Sequence, residues 1–165
     1  MAEYSIFITS QIDLPKLDLA DYNIIIISQI VVVFCVLAGY AFEAVCIKHI
    51  DQILKKLEIE NLASGIGSWR YAPPKKSRET GAQIDLLIDR IDNSINICEI
   101  KFSIDKYSID KADARNLDNK VKVFEEKTGT RKQIFLTMIT TLGLKKNFYS
   151  EELVDSEVEL IDLIK

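Results

Sequence analysis

The 165-residue chain predicts a single α/β domain with a mixed β-sheet flanked by helices, and three observations carry that expectation. Two strand-like apolar runs, 81–90 and 95–103, are joined by Ile91-Asp92-Asn93-Ser94, a polar corner with turn chemistry. Segments with apolar residues at helical spacing lie on both sides of that pair, one ending near Leu57 and one covering 109–128. Downstream, 133–139 is apolar nearly throughout, as for a strand buried on both faces. The expected order is helix, three strands, helix, strand and a short closing element. A chain of this length buries a core of ordinary size, and its composition is that of a globular protein. The net charge is −4, so nucleic-acid contact would have to come from a local basic patch.

In chain order, Met1 to Tyr22 is mixed, with a short alternating run (Tyr4, Ile6, Ile8) and Pro15, and it suggests no chemistry. From Ile24 to Phe42 no residue is charged. These nineteen residues reach the lower end of what a membrane-spanning helix needs. Ser28, Gln29 and Gly39 interrupt the run, and Asp21 and Glu43 flank it with no basic residue close by to orient it. A buried core or interface element is therefore expected, with a membrane anchor over 24–42 as the alternative. No basic start or cleavage site marks a signal peptide. We place an extension at 1–38 and the domain at 39–165.

A helix is expected from near Val36–Gly39 to about Leu57, with Cys46, Ile47, Ile50 and Leu54 on its buried stripe. Glu43 shares that stripe, either to complement the helix dipole or to face inward as a site residue. Ser64-Gly65-Ile66-Gly67 reads as a loop, and 68–72 as a short strand ended by Pro73-Pro74. The Gly-x-Gly there lacks the strand and helix of a dinucleotide fingerprint. Arg70, Lys75, Lys76 and Arg78, with Trp69 and Tyr71 beside them, form the best local patch for phosphate contact, or else an ordinary solvated loop. Around the second helix, Lys120, Lys122, Lys127, Arg131 and Lys132 would extend it, and Gly129 is a fitting C-terminal cap. His49 is the only histidine, which leaves histidine-based clusters and triads without support; a packed or capping role is expected for it. Cys35, Cys46 and Cys98 fit buried thiols in a reducing, cytoplasmic setting.

The charges inside the paired runs set the functional question. Asp85, Glu99 and Lys101 sit in the most apolar parts, where a charge is costly unless paired or metal-bound. By alternation, Ile84, Leu86 and Ile88 share one face of the first strand, and Gln83, Asp85, Leu87 and Asp89 the other. An odd hairpin loop sets Asp85 across from Glu99, with Lys101 two residues on; a two-residue turn would set Asp85 across from Ile100. The odd loop is expected. Two carboxylates at that spacing repel unless a cation lies between them, and hard oxygen donors suit Mg²⁺. A metal there polarises a phosphodiester, while Lys101 orients water or offsets developing charge. The same residues also make a plain ion-paired strand couple. Asp89, nearer the turn, is expected to pair with Arg90 or solvent.

Asp85, a spacer and Glu99-Ile100-Lys101 resemble the Asp…Glu-x-Lys signature of PD-(D/E)XK nuclease-like domains. Gly39-Tyr40-Ala41-Phe42-Glu43, the run 81–90, residues 98–103 and Thr128-Gly129-Thr130-Arg131-Lys132 resemble the C-terminal domain of certain bacterial AAA-type ATPases. That similarity covers about Gly39 to Lys165. It implies a restriction-endonuclease-like core, with Asp85 and Glu99 as metal ligands, the Ile100 carbonyl able to contribute, Lys101 as the catalytic lysine and Glu43 assisting. Gln83 would support the site. It further implies Mg²⁺, with Mn²⁺ as a substitute, and hydrolysis of nucleic acid, DNA being the expected substrate. No Walker A sequence is present, so ATP binding by that route is not expected. A non-catalytic nucleic-acid or protein interaction module of the same fold is the alternative, and homo-oligomerisation is left open.

Overall fold

The computed structural model describes the backbone of residues 19–77 and 79–164, and side chains from residue 27 onward. Arg78 and the alternating run Tyr4, Ile6 and Ile8 with Pro15 lie outside the described residues. The chain divides into Met1–Val36 and Leu37–Lys165.

In the first unit the described residues belong to helix α1 (Leu19–Lys48), which begins well before the Val36 expected from the sequence. Most of 24–42 is not part of the chain's own core, although Phe42 at its end is buried. From Ile27 to Ala41 no residue is buried, and Ile30, Val31, Val32, Val33 and Phe34 are all exposed. Five consecutive exposed residues at 100° steps cover every face of a helix, so this is not an amphipathic stripe. The stretch Ile27–Lys48 is long and apolar enough to cross a membrane by length and composition. Cys35 is exposed as well, whereas Cys46 and Cys98 are buried as expected.

The second unit is an α/β domain with a five-stranded mixed sheet. After α1 come α2 (Ile50–Lys56), β1 (Ala63–Tyr71), β2 (Ala82–Arg90) and β3 (Ser94–Lys101). Then follow α3 (Lys111–Thr128), β4 (Gln133–Thr140), α4 (Phe148–Leu153), β5 (Ser156–Glu159) and a closing 3₁₀ turn, Leu160–Ile164. The single helix expected to reach Leu57 is broken at His49, which takes the N-cap position of α2 without a side-chain capping bond. Strand order is β1-β2-β3-β4-β5. The first three strands are antiparallel, and β4 and β5 run parallel to β3. Parallel pairing requires a crossover, and α3 supplies it between β3 and β4. Its ends are well defined: Asp110 closes a capping box with Asp113, and Gly129 ends the helix in the left-handed region at φ 63°.

Two cores sandwich the sheet. On one face Phe42, Cys46, Ile53 and Leu54 pack on Leu86, Ile88, Cys98 and Ile100. On the other, Ala114, Leu117 and Phe124 of α3 pack on Ile84, Ile95, Ile97 and Met138. Ile84 therefore does not share a face with Leu86 and Ile88, contrary to simple alternation. The cause is a β-bulge. Gly67 pairs with Leu87 but Trp69 pairs with Ile84, so Asp85 and Leu86 together stand opposite Ser68 alone. The segment 64–67, read from sequence as a loop, is the first half of β1, with a second irregularity at Ser64.

Candidate functional site

The hairpin between β2 and β3 has the odd loop. Asp89 pairs with Ile95, Ile88 with Asn96, Leu87 with Ile97 and Leu86 with Cys98, a register that continued places Asp85 across from Glu99. Asn93 at φ 63° supplies the left-handed residue that a three-residue hairpin loop requires. Pairing stops at Leu86–Cys98. Beyond it the start of β2 stays with Trp69–Tyr71 of β1, while Glu99–Lys101 stays with Met138–Thr140 of β4. The sheet forks there, with Asp85 and Glu99 as the first residues past the last pair.

Asp85 fills the fork. Its Oδ2 accepts the Ile100 N–H at 3.1 Å, satisfying an amide that has lost its strand partner. The bulge at Asp85-Leu86 redirects the strand where this carboxylate must reach across. Glu99 is 2% exposed, and a carboxylate so buried must be paired. Its Oε1 holds Lys101 at 2.8 Å, and its Oε2 holds Lys120 from α3.

Electrostatics join Glu43 to this group. Burial and the charge of Asp85 hold the Glu43 carboxyl above the ordinary range; Glu99 adds to that, and Lys101 and Lys120 oppose without cancelling it. Asp85 is raised in the same way, by burial first and Glu99 second, against the Ile100 hydrogen bond and the two lysines. For Lys101 burial pulls downward, but Glu99, through charge and hydrogen bond, and then Asp85 outweigh it and hold the ammonium above its usual value. Lys101 is thus a fixed cation at neutral pH. The Tyr107 hydroxyl donates to Asp113 at 2.8 Å, and the Asp113 charge in turn supports Lys101.

Asp85, Glu99 and Lys101 are therefore brought together as expected, with Glu43 within range of their charges. Lys120 is the member that sequence reasoning misplaced, having been grouped with surface lysines of α3. It is 9% exposed, and its position carries the signal: Leu117 lies three residues before it and Phe124 four after, so Lys120 belongs to the buried stripe. Asp89 pairs with Lys132, not with Arg90; Arg90 instead binds Asp92 and donates to Asn96 at 3.1 Å.

As a cation site the donors divide. Asp85 and Glu43 are hard oxygen donors whose charges repel one another, which a divalent cation would relieve. Glu99 has both oxygens on lysines, and no three His, Cys, Asp or Glu side chains among the described residues gather closely enough to enclose an ion. Among the described residues Asp85 and Glu43 are thus the carboxylates of this group not held by a lysine, with Glu99 anchoring the lysines beside them.

Arg70, Lys75 and Lys76 are exposed on β1 and the turn after it. Arg70 lines a cleft of about 410 Å³ with Gln83, Asn116 and Lys120, so the cleft joins Arg70 to the lysine that holds Glu99. Gln83 is exposed at this cleft and makes no hydrogen bond to the site among the described residues. The loop is tied to α3 through Glu79, which accepts from the Tyr71 hydroxyl and pairs with Lys127 at 2.9 Å.

Comparison of the chain with protein-family models, curated proteins and solved structures finds no significant match in any of the three.

Proposed function

We propose that this chain is a metal-dependent phosphodiesterase of the PD-(D/E)XK kind, with a restriction-endonuclease-like core, acting on nucleic acid and foremost on DNA. One observation carries the reading. At the fork of the sheet, Asp85 and Glu43 repel each other, with Lys101 held protonated beside them on Glu99. A structural ion pair has no use for two surplus carboxylates; a cation site has. The order helix, three strands, helix, strand supports the same fold.

In this reading Asp85, Glu43 and the Ile100 carbonyl would hold Mg²⁺ or Mn²⁺, and the cation would supply Lewis acidity toward the phosphodiester and its attacking water. Lys101, cationic at neutral pH, donates a hydrogen bond and offsets the negative charge that grows on the phosphoryl oxygens. It does not act as a base. Glu99 fixes the position of Lys101, and Arg70, Lys75 and Lys76 hold the backbone of the nucleic acid along the cleft.

The test is cleavage of single- and double-stranded DNA and RNA with Mg²⁺ or Mn²⁺ by wild type, Asp85→Ala and Lys101→Ala. Metal-dependent cleavage by wild type that both substitutions abolish is the expected result. Cleavage indifferent to both, or none on any substrate, sinks the enzymatic reading. Retained nucleic-acid binding without cleavage would favour the interaction module.

A further inference from the structure

Helix α1 contains an uncharged run of twenty-one residues, 22–42, bounded by Asp21 and Glu43. At 1.5 Å per residue the run is about 31 Å long, which matches the hydrocarbon thickness of a bilayer. Residues 30–34 are each more than half exposed, and together they cover every face of the helix. A partner helix, or a second copy of this chain, would cover a stripe of about 100° and leave the other side chains in water. Only a medium that surrounds the helix removes them all from water. The helical backbone makes its hydrogen bonds within itself, so such a medium need not supply any. The polar side chains are placed accordingly. Asn23, Ser28 and Gln29 fall within the first eight residues of the run, and Tyr22 and Tyr40 stand near its two ends, where an amphipathic ring suits the headgroup level. Phe42 and Cys46 pack in the core of the sheet, so the lipid-facing part ends before Phe42 and leaves Glu43 outside it.

We propose that α1 crosses a lipid bilayer over residues 22–41 and tethers the α/β domain to the membrane. The apolar region of a secretory signal peptide is about 7–15 residues long, and this run exceeds it. The tether is independent of the chemistry at Asp85 and Glu99 and stands or falls apart from the phosphodiesterase reading. It has a consequence for Cys35, near the middle of the run. Without lipid that thiol is exposed, and a bilayer shields it, while Cys46 and Cys98 are buried in either state.

The experiment reconstitutes the full chain from mild detergent into sealed vesicles of phosphatidylcholine alone, whose lack of net charge gives the basic residues of the domain nothing to bind. Wild type is compared with a Val32→Lys, Val33→Asp double variant and with Ile104→Lys, which charges an apolar side chain of the domain that is 84% exposed. Wild type and Ile104→Lys should float with the vesicles through high salt and alkaline carbonate. Flotation of the double variant should fall at least about tenfold, because its charges lie at the centre of the run. Lys16 and Lys48 are the only basic residues in 1–48, so trypsin added outside reports crossing. A chain that crosses yields 1–48 or 17–165, according to its orientation, and yields 17–48 only once detergent opens the vesicles. Cys35 should react with a charged disulfide reagent in the lipid-free chain and not in intact vesicles. A wild-type chain that stays out of the vesicles overturns the proposal, and a discrete oligomer there would make α1 a protein interface. Release by carbonate, or 17–48 from sealed vesicles, overturns crossing. These wild-type outcomes decide whether or not the double variant folds, and flotation of that variant equal to wild type overturns the proposal as well.

Discussion

Asp85 accepts the Ile100 amide at the point where β2 and β3 cease to pair, so one carboxylate both seals the fork and faces the site. Asparagine can make the same bond through its carbonyl oxygen without the charge. Because burial and Glu99 disfavour the Asp85 anion, Asp85→Asn should melt at or above the wild-type temperature, by about 1–4 °C, in metal-free buffer. Cleavage should fall by about two orders of magnitude or more. Thermal denaturation and a nuclease assay on the same preparation test this. A variant both inactive and markedly less stable would make Asp85 a structural residue.

Glu43 and Asp85 also give the site a pH signature. An acid whose folded pKa lies above its unfolded value destabilises the fold when charged. That penalty is complete above the folded pKa and disappears as pH falls toward the unfolded one. Both carboxyls are raised, so their repulsion should weaken as pH falls from neutral through their raised folded values toward the ordinary carboxylate range. A Glu43→Gln, Asp85→Asn double variant should therefore be more stable than wild type at the upper pH in EDTA, with the gap narrowing on acidification. Melting curves of the two proteins across that range decide it. A gap that widens on acidification reverses the sign and removes the argument for a cation site.

The hairpin was legible from its polar corner at 91–94, and its parity was suggested only by Asp85 and Glu99 standing out in apolar surroundings. The bulge at Asp85-Leu86 was not. Ile84 is apolar whichever face it takes, so nothing in β2 alone records the switch; only its pairing with β1 does. Gly65 and Gly67 suggested a loop because glycine weakens a strand, yet here they sit in an irregular, exposed edge strand. The break at His49 carries neither proline nor glycine, and the apolar stripe continues across it into α2. Lys120 was readable in principle, since Leu117 and Phe124 fix the stripe, but a lysine among many on a helix draws no attention until its glutamate is known. Exposure of the run from Ile27 to Ala41 lies beyond composition, because an apolar segment has the same sequence whether covered or not.

The three thiols should separate by reactivity. Burial pushes both Cys46 and Cys98 up to about 12, which suppresses the thiolate, and the packing around them excludes reagent. Cys35 is exposed. A disulfide reagent such as DTNB should therefore release one equivalent rapidly from the native protein and three after denaturation. Cys35→Ser should abolish the rapid phase. Two or three fast equivalents in the native state would mean that the core around Cys46 and Cys98 opens readily.

Lys76 sits at φ 77° in the turn where the Ser77 N–H donates to the Pro74 carbonyl at 2.9 Å, a conformation that favours glycine. Lysine there bears a backbone cost that a solvated loop would not require, which suggests that its charge is useful. Lys76→Gly removes the charge and relieves the backbone together. Its melting temperature should match or exceed wild type, while affinity for duplex DNA should fall. The plot of log affinity against log salt should become shallower by about one if Lys76 neutralises one phosphate. Fluorescence anisotropy in EDTA, where no metal-dependent cleavage intervenes, measures both. An unchanged salt slope would place the DNA path elsewhere and leave Arg70, at the mouth of the cleft that reaches Lys120, as the residue to substitute next.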